Sequence, residues 1–291
     1  MSPALRTIGV VGAGQMGRGI AQVAAQSGFA VLLHDENRGA LDAALAHIGD
    51  QLERQVQKGK LAPAARSEIL ARLRPAADAG AFASADFVIE AVSESQPLKA
   101  RLFESLDATC RPGVVLASNT SSISITRLAS ATRRPSLVIG MHFMNPVPVM
   151  ELVEIVAGQS TSAETIETTR GLAKSLGKTA VLAQDYPGFI SNRVLMPMIN
   201  EAIFALYEGV GGRDDIDTVM RLGMRHPMGP LALADFIGLD TCLAILEILH
   251  SGFGDPKYRP CPLLRRMVDA GLLGRKSGRG FYDYDAGGAP A

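Results

Sequence analysis

A histidine and a glutamate lie twelve positions apart in the run from His142 to Glu154, HFMNPVPVMELVE. His142 closes an apolar stretch, LVIGMHF, and Glu154 sits inside another, MELVEIV; the prolines of NPVP enforce a turn between them. If the two stretches are strands paired antiparallel around that turn, residues of equal parity share a face, and 142 and 154 have equal parity. A carboxylate beside an imidazole fixes the tautomer and ring orientation and raises the basicity of the ring. Such a pair can take the proton of a hydroxyl while hydride leaves the same carbon.

A second constellation supplies a place for a hydride acceptor. Gly12-Ala13-Gly14-Gln15-Met16-Gly17 follows the apolar run TIGVV and opens a helical stretch, and Asp35 ends the next apolar run eighteen residues after Gly17. Strand, G-x-G-x-x-G, helix and an acidic residue at the end of the following strand form the context in which this motif binds a dinucleotide. Gly12 permits the tight turn, Gly14 lets the backbone approach the pyrophosphate, and Gly17 lets helix and strand pack closely. Gln15 and Met16 belong to the same loop, and the helix start offers free N–H groups to phosphate. A carboxylate at Asp35 accepts hydrogen bonds from a ribose 2′-OH and repels a 2′-phosphate, so NAD is expected rather than NADP.

These residues need a sheet to position them. The pattern predicts strands at Thr7–Val11, Phe29–His34, Asp86–Val92, Val114–Ser118, Leu137–Phe143, Met150–Val156 and Ala180–Leu182. Helices are predicted at Gly14–Ser27, Leu98–Cys110, Ile125–Ala129 and Ser162–Leu176. The stretch Arg38–Arg74, with a break near Gly59–Pro63, reads as two helices forming a hairpin inserted between strands. After Asp185 the strands cease, and Gly188–Tyr207, Arg213–Leu222, Leu231–His250 and Pro262–Ala270 read as helices. The expected fold is α/β: a Rossmann-type N-terminal domain with a helical-hairpin insertion, residues 1–186, followed by an all-helical C-terminal domain, residues 187–291. The last six residues, AGGAPA, read as a disordered tail.

Composition narrows the function classes. Of 291 residues 47% are hydrophobic, enough for packed cores in two domains, and the formal net charge is zero. A balanced charge gives no electrostatic reason to expect nucleic acid or a membrane surface as partner. Cys110, Cys242 and Cys261 are scattered and fit neither a disulfide framework nor a zinc site, and no metal-ligand cluster is evident. The N-terminus, MSPALRTIGVVGAG, has no secretory signal or room for a transit peptide, and no apolar run is long enough to span a bilayer; a soluble cytoplasmic protein is expected.

The segments GAGQMG, IEAV, ASNTSSISI, HFMNPVPVMELVEI, DYPGFISNRV, GMRHPMGPLALADFIGLD and RKSGRGFYDY resemble, in order and over nearly the whole chain, the 3-hydroxyacyl-CoA dehydrogenase family, including bacterial 3-hydroxybutyryl-CoA dehydrogenases. The resemblance implies NAD-dependent, reversible oxidation of an (S)-3-hydroxyacyl-CoA to the 3-oxoacyl-CoA, with a short acyl chain expected. It implies His142 as catalytic base, Glu154 as its partner, and Ser121 and Asn192 as residues that hold the substrate oxygen. Glu94, Lys99, Asn119 and Lys276 match positions on the cofactor side, and Lys58, in the hairpin, matches a lysine that contacts CoA. The family assembles as a homodimer through the helical domain. Met144 stands where many relatives have phenylalanine, and Gln51 where some place a CoA-binding serine. Relatives of this architecture also oxidise hydroxy compounds without CoA, such as L-gulonate or carnitine, and a non-catalytic NAD-binding structural dimer is the further alternative.

Overall fold

The computed structural model describes residues 5–285, so the reading of AGGAPA at 286–291 as a tail lies outside the described residues. The chain divides into two compact units, Met1–Tyr186 and Pro187–Ala291.

The first unit is built on one eight-stranded sheet. Its strands are β1 Thr7–Val11, β2 Ala30–His34, β3 Leu73–Pro75, β4 Phe87–Glu90, β5 Val115–Ser118, β6 Val138–Phe143, β7 Leu152–Ala157 and β8 Thr179–Gln184. Its helices are α1 Gln15–Gln26, α2 Arg38–Gln57, α3 Pro63–Arg72, α4 Gln96–Thr109, α5 Ile125–Ala129 and α6 Ala163–Ser175. The spatial order is β3-β2-β1-β4-β5-β6-β7-β8. Every neighbouring pair is parallel except β6 with β7.

The reason for the layers is in the side chains. β1, β4 and β5 are apolar at nearly every position and are buried on both faces, as parallel strands covered by helices must be. Ile8, Val10, Leu33, Phe87 and Ile89 meet Ile20 and Ala24 of α1 in one core, and Leu41, Ile48 and Leu52 bring the long helix α2 into it. Polar side chains cap the helices that enter the sheet. The Asn37 side chain accepts from the Ala40 amide at the start of α2, and Ser162 accepts from the Thr165 amide at the start of α6.

The sequence of order reverses at β1, since β2 lies on one side of it and β4 on the other. In doubly wound sheets a ligand crevice opens beyond the carboxyl ends of the strands at such a point. The predicted hairpin insertion is present as α2 and α3, but its second helix stops at Arg72. Leu73–Pro75 forms the edge strand β3 instead, and a 3₁₀ segment, Ala79–Ser84, follows. A proline cannot donate to a ladder and is tolerated at an edge.

The second unit is helical. It contains α7 Ser191–Tyr207, α8 Arg213–Thr218, α9 Pro230–Ile237, α10 Leu239–Phe253 and α11 Pro262–Asp269. Ile199, Ile203, Leu231, Leu246, Leu249 and Leu264 form its core. Three helix predictions need correction. The first begins at Ser191 rather than Gly188; the second ends at Thr218 in a π turn over Val219–Gly223. The stretch Leu231–His250 is two helices, because Gly238 adopts φ +102°, outside any helix.

Two buried aspartates pin this unit together. Asp217 accepts from the Leu231 and Ala232 amides at the start of α9 and from the Tyr282 hydroxyl. Asp235 accepts from the Phe281 and Tyr282 amides and the Tyr284 hydroxyl, so it holds the GFYDY segment. Burial pushes the Asp235 carboxyl up from its ordinary value, more than those hydrogen bonds lower it.

Candidate active site

The glycine loop between β1 and α1 lies at the switch point. Gly12 has φ +100°, and a Cβ there would meet the Ala91 carbonyl at 2.5 Å. A Cβ on Gly17 would collide with the Gly12 carbonyl, so the helix can pack this close only with glycine. At Gly14 the space a Cβ would enter is open, and no side chain caps the α1 N-terminus. Gln15 and Met16 open the helix, and Gln15 Nε2 donates to Asn145 Oδ1 at 3.0 Å, which ties the glycine loop to the turn after His142.

A cleft of about 540 Å³ adjoins this loop; Gly12, Gly14, His34, Asp35, Val92 and Arg101 are among its lining residues. The Asp35 carboxylate takes the Ala13 amide on Oδ2 at 2.7 Å and the Asn37 amide on Oδ1 at 2.9 Å. It is thereby fixed in the lining of the cleft. Open backbone at Gly14, an uncapped helix start and a held carboxylate fit a dinucleotide: pyrophosphate at the helix, ribose at Asp35.

His142 and Glu154 are direct partners across the antiparallel pair β6–β7. Their side chains meet, with His142 Nδ1 2.8 Å from Glu154 Oε2. His142 is 8% exposed and Glu154 1%. Asn119, just past β5, accepts the Phe143 amide on Oδ1 at 3.0 Å and gives its own amide to the Glu90 carbonyl at 2.8 Å. It therefore joins the ends of β4, β5 and β6 beside the histidine.

Ser121 follows in the loop after β5. Its amide donates to Glu94 Oε1 at 3.1 Å, as do the Ser122 hydroxyl at 2.9 Å and the Thr120 hydroxyl. Glu94 is also paired with Lys99 at 3.3 Å. Burial works to raise the Glu94 carboxyl pKa, but the Lys99 charge and the hydrogen bonds from Thr120 and Ser122 outweigh it, and the carboxyl lies below its ordinary value. Farther along the loop, the Ser124 hydroxyl and the Ile125 and Thr126 amides donate to Asp185, the residue after β8. That carboxylate caps α5 and holds the far end of the serine loop.

The remaining predicted residues lie on other elements. Lys58 is exposed at the C-terminal end of α2, near the tip of the hairpin. Gln51 lies on the same helix, and Met144 is half-buried directly after β6. Asn192 is in the first turn of α7 in the second unit, and Lys276 of that unit is paired with Asp240, its Nζ 2.6 Å from Oδ2. Among the described residues no helix is long and apolar enough to cross a membrane, and no group of three or more His, Cys, Asp or Glu is arranged to hold a metal ion. The three cysteines are buried free thiols.

Sequence reasoning missed Glu90, Ser118, Thr120 and Asp185. Glu90 had a signal: a carboxylate ending an otherwise apolar strand, FVIE, needs a buried partner.

Comparison with known proteins agrees with this geometry. The sequence model of the NAD-binding domain of 3-hydroxyacyl-CoA dehydrogenase matches residues 7–186, and that of the C-terminal domain of the same family matches residues 188–284. The chain is 57% identical over 281 residues to a Bacillus subtilis protein described as a probable 3-hydroxybutyryl-CoA dehydrogenase, covering 97% of this chain and 98% of the relative. It is 52% identical to the 3-hydroxybutyryl-CoA dehydrogenase of Bradyrhizobium diazoefficiens, covering 98% of this chain and 97% of the relative. The crystal structure of (S)-3-hydroxybutyryl-CoA dehydrogenase PaaH1 from Ralstonia eutropha superposes with a TM-score of 0.95 at 48% identity, covering 97% of this chain and all of that one. A glycine loop at the switch point of the sheet, a histidine paired with a buried glutamate at its carboxyl end, and matches to both domains make this chain a member of the 3-hydroxyacyl-CoA dehydrogenase family, with an NAD-binding first domain.

Proposed function

We propose that the chain catalyses the reversible, NAD-dependent oxidation of a short-chain (S)-3-hydroxyacyl-CoA, such as 3-hydroxybutyryl-CoA, to the 3-oxoacyl-CoA. The observation that carries this reading is the His142–Glu154 pair, 2.8 Å apart at the end of the sheet that carries the dinucleotide loop.

When bound, NAD supplies the hydride acceptor. The chain's own part is to bind, orient and move a proton. With Nδ1–H donating to Glu154, Nε2 is the unprotonated, basic nitrogen of His142. Nε2 takes the proton of the substrate's 3-hydroxyl, and the nearly buried Glu154 carboxylate stabilises the imidazolium that forms. In the reverse direction the imidazolium returns the proton to the developing alkoxide. Ser121 holds the substrate oxygen, Glu94 holds Ser121 through its amide, and Asn192 keeps the substrate role that the resemblance gives it. Asn119 keeps the ends of β5 and β6 in register beside the base. Arg54, Lys58 and Lys60 give the exposed hairpin tip a positive charge suited to the phosphates of CoA. Lys276 contacts the cofactor in this reading. A homodimer formed through the helical unit and a cytoplasmic location complete it.

The test is oxidation of NADH by acetoacetyl-CoA, followed at the nicotinamide band, with NADPH and with acetoacetate lacking CoA as controls. Turnover that needs both NADH and the thioester is the expected result. Turnover of free hydroxy acids without any thioester dependence would move the protein to the CoA-independent relatives, and NADH binding without turnover of any substrate would favour the non-catalytic alternative.

A further inference from the structure

The core of the first unit contains two full charges that water does not reach. Glu90, the last residue of β4, is 0% exposed, and Lys99, near the start of α4, is 1% exposed. The Lys99 ammonium meets Glu90 Oε1 at 2.6 Å, the Val92 carbonyl at 3.2 Å and Glu94 Oε2 at 3.3 Å. An ammonium has three N–H donors, and these three oxygens use all of them. Lys99 is therefore satisfied by the protein's own oxygens.

Glu90 is equally committed. Its Oε1 also accepts the Val92 amide at 2.7 Å, and its Oε2 accepts the Ser118 hydroxyl at 2.6 Å. Ser118 Oγ in turn accepts the Thr120 amide at 3.1 Å, and the Thr120 hydroxyl donates to Glu94. Two routes thus run from Glu90 to one carboxylate, the first through Lys99 and the second through Ser118 and Thr120. Glu94 is where they meet, and Glu94 receives the Ser121 amide and the Ser122 hydroxyl.

Stability alone does not account for such an arrangement. Removing two ions from water costs about as much as their attraction returns, and well-packed apolar residues serve a core at least as well. What an apolar pair lacks is a way to hold a third, partly exposed carboxylate in one place.

We propose that Glu90 is a positioning residue: through Lys99 on one route and through Ser118 and Thr120 on the other it fixes the Glu94 carboxylate as the acceptor that orders the Ser121–Ser122 loop, and it does not itself touch substrate or cofactor. The functional half of this proposal rests on the reading that Ser121 meets the substrate oxygen. The pair sets where the serine sits, and the serine sets how the substrate is held.

The test uses the full chain as Glu90→Gln, the charge-free double variant Glu90→Gln/Lys99→Met, Ser118→Ala, Ser121→Ala, and Glu90→Gln combined with Ser121→Ala. Glu90→Gln is expected to lower kcat with acetoacetyl-CoA by about 10- to 100-fold while the NADH Kd changes by less than about threefold. The double variant, which leaves no lone buried charge to unfold the core, is expected to show the same loss of kcat. Ser118→Ala cuts only the second route and should show a smaller loss of the same kind. In the Ser121→Ala background Glu90→Gln should add less than about twofold, because residues acting through one another are not additive. Wild-type kcat in all of Glu90→Gln, the double variant and Ser118→Ala overturns the proposal. So does an NADH affinity that falls as far as kcat in Glu90→Gln, or a fully multiplicative loss on top of Ser121→Ala. A readout independent of turnover separates this from failure of the thioester reading: amide hydrogen exchange at Ser121 and Ser122, measured in the same variants. Exchange about tenfold faster than in the unaltered protein supports positioning even if no thioester is turned over, and unchanged protection overturns it.

Discussion

Glu154 Oε2 lies 2.8 Å from His142 Nδ1, and the two residues are exact cross-strand partners in the one antiparallel pair of the sheet. The carboxylate therefore needs no loop to aim it; the hydrogen-bonded ladder of β6 and β7 does so. His142→Gln removes the proton acceptor and should lower kcat about 10²- to 10⁴-fold, with the NADH Kd nearly unchanged. Glu154→Gln leaves the ring but withdraws the charge that stabilises the imidazolium, and a loss of about 10²-fold or more is expected. Steady-state kinetics paired with NADH fluorescence titration checks both, and near-normal turnover in Glu154→Gln would remove it from the mechanism.

Asp35 both closes the glycine loop, through the Ala13 amide, and presents a negative charge to the cleft. Asp35→Ser should therefore weaken NADH binding and at the same time relieve the repulsion of a 2′-phosphate. The ratio of kcat/KM for NADH over NADPH is expected to fall by about 10-fold or more, equivalent to at least about 1.4 kcal/mol. An unchanged ratio would mean that selection against NADPH resides elsewhere in the cleft.

The Glu94 carboxyl is a titrating group of the candidate site whose effect on stability can be signed. Its pKa is held below the ordinary 4.5 in the folded protein, against the raising effect of burial, by Lys99 and by the hydroxyls of Thr120 and Ser122. A depressed folded pKa contributes stability that is present above the unfolded value and lost as pH falls through the folded one. Glu94→Gln should thus be less stable than the unaltered chain near neutral pH, and the difference should shrink below pH 4.5. Urea unfolding at a series of pH values measures it; a difference that grows on acidification contradicts the assignment.

Lys58 lies exposed at the end of α2, where a lysine acts as a screened point charge. Lys58→Ala should raise the KM for acetoacetyl-CoA about 3- to 10-fold at low ionic strength, leave kcat within about twofold, and lose most of its effect near 1 M salt. A KM that does not respond to either the substitution or the salt would take CoA away from the hairpin tip.

The parts of the fold that were legible in the sequence are those written in periodicity and punctuation. TIGVV before three spaced glycines fixes a strand and a helix start, and equal parity across NPVP foretells that residues 142 and 154 face each other. Leu73-Arg74-Pro75 was not legible as a strand, because three residues carry no alternation and the pairing with β2 alone makes them one. The break at Gly238 was hidden because LALADFI and LDTCLAIL are helical on either side, and only the backbone turn at φ +102° separates them. The partners of Glu90 were hidden for a different reason. They come from a helix nine residues on and a strand twenty-eight residues on, and spacing along the chain does not reveal that they share one carboxylate. Asp185 is similar, meeting Ser124 across sixty-one positions.

The buried Glu90–Lys99 pair also constrains the history this sequence can have. Losing Lys99 by itself strands the Glu90 carboxylate in a dry core, which costs about 3–5 kcal/mol, and losing Glu90 leaves Lys99 with Glu94 as its remaining counter-charge, whereas losing both together can be close to neutral. Single mutational steps away from the pair therefore pass through a weakened protein. A lineage that once acquires it is held there, whatever its substrate becomes, until two substitutions arrive together or a gain of stability elsewhere opens the way.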